Sequence, residues 1–208
     1  LAFVLFDEGQ DFGILKFEFD QKWEYRDSFK NFPPEVEYIG NFVAKSSEIL
    51  IGTNRGIYIG YTNDNLKDPN SWSLLKDEIN HEITSMSLKG DNLLYSSRSH
   101  IYDYNYNLQI LDTLDLFNQY SNISFFHAKN DSLLIVNEGN LFFKEGAKED
   151  LRIYSSTHIS ALSTHQNEIL LGTSNGLTFV NMTSYLSRRL VPNAPAQNNF
   201  SALTVLKD

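Results

Sequence analysis

No cysteine occurs among the 208 residues. Disulfide frameworks and Cys-ligated zinc are therefore excluded. The compartment stays open, because a secreted chain of this size does not need disulfides. Positive charge is also short: 17 Lys and Arg face 26 Asp and Glu, a formal net charge of -9. A nucleic-acid partner is not expected, since phosphate binding needs a basic surface. Long apolar runs are missing too. The opening stretch Leu1 to Phe6 is cut off by Asp7 and Glu8. It is too short to cross a bilayer, and no basic segment precedes it as in a signal peptide. Membrane insertion by this segment is not expected. The chain starts at Leu rather than Met, and it reads as a mature, trimmed or fragmentary piece of something longer. Helical periodicity is absent as well, because no window keeps an apolar 3.6-residue period over the length a helix needs. What is plentiful is aromatic: 15 Phe and 11 Tyr argue against disorder and for a core of real size.

The apolar residues that are present repeat. Glu48-Ile-Leu-Ile-Gly-Thr-Asn-Arg-Gly-Ile-Tyr-Ile59 and Glu168-Ile-Leu-Leu-Gly-Thr-Ser-Asn-Gly-Leu-Thr-Phe179 share Glu, Ile-Leu, Gly-Thr and Gly at equal spacing. Two of their differences are Ile/Leu exchanges. Degenerate copies lie between them, Asn92 to Asp103 and Ser132 to Phe143, so the copies start 44, 40 and 36 residues apart. A second apolar segment begins nine residues before each start, at Ile39, Ile83, Ile123 and Ile159, and a fifth begins at Phe200. Candidate outer strands follow at Trp72 to Leu75, Leu108 to Leu111, Leu151 to Tyr154 and Tyr185 to Leu190. Four short strands in about forty residues, joined by Gly, Asn, Asp and Ser turns, is the content of a β-propeller blade. Short β-branched runs such as Ile49-Leu-Ile51 suit strands buried on both faces. An antiparallel sandwich is the alternative, but it gives no reason for a repeat of this length.

The expected fold is thus all-β, a single β-propeller domain over 1–208 built of four-stranded antiparallel blades, about five in this chain. The blade boundaries are approximately 1–35 with 200–208, 36–78, 79–118, 119–156 and 157–199. In the first blade Ala2 to Phe6, Gly13 to Phe19 and Lys22 to Tyr25 read as strands, with an enlarged loop from Asp7 to Phe12. A strand from the C-terminus can complete that blade and close a ring, or the chain is a window cut from a larger propeller. Gly-Thr-x-x-Gly reads as a tight hairpin in which Gly56 and Gly176 take positive φ. Gly52 and Gly172 read as positions where backbones approach.

Signals for chemistry are few. The five histidines (His81, His100, His127, His158, His165) form no metalloprotease motif, and satisfied or solvated roles outweigh a metal site at His127 and His165. No nucleophile elbow occurs, and the carboxylates are scattered. The loop Asn63-Asp-Asn-Leu-Lys-Asp68 is rich in oxygen ligands but lacks the calcium-loop spacing. Tyr102, Tyr104 and Tyr106 alternate and share a strand face, where packing is favoured over an exposed ladder. No catalytic residue, metal or cofactor is expected. Topology locates a recognition face instead. In such a blade the loop between the second and third strands emerges beside the link to the next blade. Ligand- or partner-binding residues are therefore expected among Asn54, Arg55, Arg98, His100, Asn137, Glu138, Ser174 and Asn175, with Asn193, Gln197 and Asn198 in the last link.

Ile-Leu-Ile-Gly-Thr-Asn-Arg-Gly-Ile at 49–57 and Ile-Leu-Leu-Gly-Thr-Ser-Asn-Gly-Leu at 169–177 resemble the two-component regulator propeller repeat: an apolar run, Gly-Thr, two variable residues and Gly-Leu. The link Val191 to Phe200 resembles that family's inter-blade connection. The resemblance covers about residues 36–208, and Ser96 and Val136 replace the first Gly in the middle copies. It implies a bacterial extracytoplasmic propeller, periplasmic or at the cell surface. The expected function is a non-enzymatic recognition module, the ligand-sensing region of a two-component-type regulator. A small-molecule or glycan ligand, or a protein partner, would sit on the loop face. A propeller scaffold in a secretion or cell-surface assembly is the alternative, and a propeller lyase or glycosidase ranks third. Fold alone fixes no ligand.

Overall fold

In the computed structural model, the described residues are 2–8, 11–45, 47–76, 79–97, 100–106, 108–114, 123–129, 132–145, 151–156, 158–173 and 176–190. Five antiparallel meanders follow one another, each pairing its strands in sequence order. The first contains β1 (Ala2–Glu8), β2 (Asp11–Asp20) and β3 (Lys22–Phe29). The second contains β4 (Ile39–Lys45), β5 (Glu48–Thr53), β6 (Gly56–Tyr61) and β7 (Trp72–Leu74). The third contains β8 (Ser85–Lys89), β9 (Asn92–Ser97), β10 (His100–Asn105) and β11 (Ile110–Thr113). The fourth contains β12 (Ile123–Lys129), β13 (Ser132–Asn137), β14 (Asn140–Glu145) and β15 (Leu151–Ser155). The fifth contains β16 (Ile159–His165), β17 (Glu168–Thr173), β18 (Gly176–Asn181) and β19 (Ser187–Leu190). The protein is an all-β, five-blade β-propeller. Residues 200–208, expected to complete the first blade, lie outside the described residues. The described residues fall into two compact units, within 1–86 and 95–98 and within 87–94 and 99–208.

The second strand of each repeated blade is the core of its sheet, because the run of apolar residues is buried on both faces. In β5 Ile49, Leu50 and Ile51 are all fully buried. Burying each such side chain contributes roughly 1.5–3 kcal/mol. Alternation then sorts the side chains. In the first unit Ile49 and Ile51 pack with Ile14 and Phe29 of the first blade, together with Phe32, Val36 and Trp72. In the second unit Leu133 and Ile135 of β13 join Leu94, Ile101 and Phe126. Their neighbours Leu134 and Val136 turn the other way, onto Ile169, Leu171 and Val180. One strand thus serves two interfaces, as the period of two requires.

Four expectations need correction. No enlarged loop separates β1 from β2. Asp7 pairs with Phe12 and Glu8 with Asp11, so the ladder runs to the tip of a hairpin. The third inner strand starts at Ser85, not Ile83, because the Ile83 amide donates to Thr53 O of the preceding blade at 2.9 Å. The strand placed at Leu108 to Leu111 begins at Ile110. Leu108 N donates to Asn105 Oδ1 at 2.9 Å and Gln109 has a φ of 54°, so the turn extends past the apolar Leu108. The strand placed at Tyr185 begins at Ser187, since Tyr185 has a φ of 56° and its amide bonds back to Asn181 O at 2.9 Å. In both cases an apolar residue sits in a turn, where hydrophobicity alone misplaces the boundary.

Candidate functional site

The Gly-Thr-x-x-Gly hairpin is built as the sequence suggests, with one addition. Thr53 pairs with Gly56 across a turn of Asn54 and Arg55, and Gly56 has a φ of 112°. A Cβ there would lie 1.8 Å from Ile79 O, so space as well as conformation demands glycine. The addition is the threonine. Its buried hydroxyl donates to Gly56 O at 2.9 Å and accepts from Arg55 N at 3.0 Å. Thr173 Oγ1 makes the same bond to Gly176 O at 2.9 Å, and Gly176 has a φ of 110°. Gly52 admits a side chain rather than a backbone: a Cβ would meet Ile83 Cγ2 at 2.7 Å.

In the first unit the loop face is tied together by its own side chains. Asn54 Oδ1 accepts from Glu37 N at 2.9 Å, and its Nδ2 donates to Glu35 O at 3.3 Å. The Tyr58 hydroxyl donates to Glu35 Oε1 at 2.8 Å. Burial, then the bond to Glu35, pushes the Tyr58 phenol up to about 12. Glu35 is held below the ordinary carboxylate value by its own backbone amide and by the Tyr58 hydroxyl. Arg55 is exposed, and its charge acts on both groups. Tyr38 and Glu82, the residues just before Ile39 and Ile83, are hydrogen-bonded to each other. His81 is pushed toward its neutral form by burial. Asn54 is thus committed to holding the inter-blade link.

The oxygen-rich loop is a structural unit of the same blade. Asp68 Oδ1 accepts from Asn70 N at 3.0 Å, opening a 3-10 turn at Pro69–Ser71. Leu66 is buried, and its carbonyl accepts from Trp72 Nε1 at 3.2 Å. Lys67 Nζ reaches Asp27 Oδ1 at 2.7 Å, which holds the Asp27 carboxyl below its usual value. His127 is engaged as well, through a ring nitrogen 3.0 Å from Thr164 Oγ1. Tyr104 is buried and packs edge-on to Tyr106 at 5.3 Å.

The second unit leaves a depression on its loop face. It measures about 520 Å³ and is lined by Ser124, Phe125, Glu138, Gly139, His158 and Ser160, with Ile159 beneath. The geometry follows from a defect shared by three inner strands. Ile39 pairs with Thr53 but Asn41 with Gly52, leaving Gly40 as an extra residue. Ser124 is extra in the same way between Ile123 and Phe125, and Ser160 between Ile159 and Ala161. Such bulges re-aim a residue out of the ladder. At Gly40 the space is closed, since a Cβ would meet Ile83 O at 2.9 Å. At β12 and β16 the extra residue is serine, and the depression opens beside it. The carboxylate comes from the β13–β14 turn, where Glu138 has a φ of 50° and Gly139 a φ of 75°.

Of the sequence-predicted residues, Glu138 lines this depression, while Asn54 and Arg55 lie on the hairpin of the first unit. Asn137 ends β13 and pairs with Asn140. His100 opens β10, its ring 6.2 Å from that of Tyr102. Arg98, Ser174, Asn175, Asn193, Gln197 and Asn198 lie outside the described residues. Sequence reasoning missed Ser124 and Ser160, while His158 falls in the inter-blade link 155–158 that topology brings to this face. A signal existed: Ile-Ser at 123–124 and 159–160 aligns with Ile-Gly at 39–40.

No family model and no curated protein matches the sequence. Solved structures match the fold. The extracellular domain assigned to a hybrid two-component system of B. thetaiotaomicron superposes with a TM-score of 0.59 at 14% identity, covering 97% of this chain and 35% of that one. PorZ, a surface component of the type IX secretion system of Porphyromonas gingivalis, gives 0.58 at 14% identity over 94% of this chain and 25% of that one. The WD40 domain of Neurospora crassa Pan2 gives 0.61 at 12% identity over 97% and 67%. This chain therefore spans about a third of the first of these proteins and a quarter of the second. At such identities the likeness is one of fold. No helix among the described residues is long and apolar enough to cross a membrane.

Proposed function

We propose that this chain is a non-enzymatic propeller recognition module, the extracytoplasmic ligand-sensing region of a two-component-type regulator. The observation that carries this reading is the depression at Ser124, Glu138 and His158. It is a concavity on a loop face, walled in part by β12 and β16, whose exposed carboxylate and imidazole have no hydrogen-bond or ion-pair partner among the described residues. Loops on a rigid scaffold are where such folds place recognition. The Gly-Thr-x-x-Gly hairpins and the likeness to an extracellular two-component domain support the setting. Amide NMR of the purified chain against small polar molecules and oligosaccharides tests it. Shifts at 124–125, 138–139 and 158–160 without chemical turnover are expected. Silence at those amides throughout the panel sinks the reading.

A scaffold role in a surface or secretion assembly is the second reading. It is favoured by exposed apolar side chains on or beside outer strands, with Leu108 at 67% and Leu186 at 74% exposure, and by the likeness to PorZ. Capture of a surface protein that L108E or L186E abolishes supports it over ligand sensing.

A further inference from the structure

We infer that the depression takes a small organic cation, a primary ammonium carried on a short apolar stem; this rests on the recognition reading above and names its ligand class. Charge decides the sign. The lining contains one carboxylate, Glu138, one imidazole, His158, and neither Lys nor Arg. The chain as a whole carries a formal charge of -9, which favours a cation at any concave site. Chemistry decides the rest. Ser124 and Ser160 are in the lining, and Ser160 Oγ donates to Gly172 O at 3.3 Å, which leaves its lone pairs to accept from a donor. Phe125 and the buried Ile159 give the apolar wall that a hydrocarbon stem requires.

The backbone fixes where that carboxylate stands. A two-residue hairpin turn with positive φ at both positions strongly prefers Asn, Asp or Gly first. Here the first position is Glu138, a long side chain in a left-handed conformation that costs about 1–2 kcal/mol relative to glycine. The conformation closes the hairpin, and Glu138 O accepts from Asn140 Nδ2 at 3.2 Å, while no described residue bonds the carboxylate. The matching place in the first unit lacks this design. There a Cβ at Gly40 would meet Ile83 O, Tyr38 is bonded to Glu82, and Asn54 is bonded to the link.

The test is an amide NMR titration of the full chain with n-butylammonium, n-butanol and butyrate, plus a panel of neutral oligosaccharides. The ammonium should shift Ser124, Gly139 and Ser160, with n-butanol at least about tenfold weaker and butyrate silent. E138Q should lose about tenfold in affinity, some 1.4 kcal/mol. E138G should bind no better than E138Q yet melt about 2–4 °C higher, because the turn relaxes. That gain in stability shows that the lost binding is not a folding defect. Equal binding of n-butanol and n-butylammonium, or an E138Q variant with unchanged affinity, overturns the inference. Shifts from neutral oligosaccharides alone also overturn it but leave the recognition reading standing. No response to any probe defeats both.

Discussion

The hydroxyl of Tyr58 donates to Glu35 Oε1 at 2.8 Å, fastening the third strand of the second blade to the link that precedes it. Tyr58 is only 5% exposed, and its phenol is raised to about 12. An acid raised on folding keeps its proton after the unfolded chain has lost it. Stability from this group is therefore complete below pH 10 and declines as pH climbs from there toward 12. Glu35 has the opposite sign: it is lowered on folding, so its contribution is present above the usual carboxylate value and fades as pH falls through the folded one. Urea midpoints from pH 3 to 12 should show both limbs. Y58F should flatten the alkaline limb; an unchanged slope there would refute the assignment.

Thr53 should matter more than its small size suggests. Replacing it with Val keeps the shape and removes the bonds to Gly56 O and Arg55 N. A loss of about 1–3 kcal/mol is expected for T53V, while T53S stays close to wild type. T173V should behave alike, since Thr173 Oγ1 makes the same bond to Gly176 O. Chemical denaturation of the four proteins decides the matter.

Two glycines with positive φ should separate cleanly. Gly90 has a φ of 59° and nothing within 4 Å of a would-be Cβ, so G90A should cost only the conformational term, about 1–2 kcal/mol. G56A adds a collision with Ile79 O at 1.8 Å and should prevent folding or cost several times more. Similar melting temperatures for the two variants would contradict the packing described at the hairpin.

Leu66 lies in a loop of polar residues but behaves as core. It is 2% exposed and packs with Trp72 in the core of the first unit. L66A should destabilise by about 2–5 kcal/mol. N63A, in the exposed part of the same loop, should stay within about 0.5 kcal/mol of wild type. Thermal melts of both variants provide the check.

The architecture was legible because blades repeat. Ile39, Ile123 and Ile159 open inner strands where the nine-residue spacing to the start of each repeat placed them. Boundaries failed where side-chain hydrogen bonds overrode hydrophobicity, as when Asn105 extends a turn past Leu108. The site was half legible. Topology alone brought Glu138 to the loop face, but Ser124 and Ser160 depend on register shifts whose one trace in the sequence is the alignment of Ile-Ser with Ile-Gly at 39–40. Asn54 looked free in the sequence because its partners are backbone groups of 35 and 37, which carry no side-chain signature.

The bulge at the second position of β4, β12 and β16 has a consequence for divergence. A residue counted out of the ladder can change without disturbing the pairing of any other. Gly40, Ser124 and Ser160 show two states of this position, one sealed and one open. Each of these three blades therefore carries its own interchangeable slot. Successive duplications can alter chemistry slot by slot while every strand keeps its neighbours.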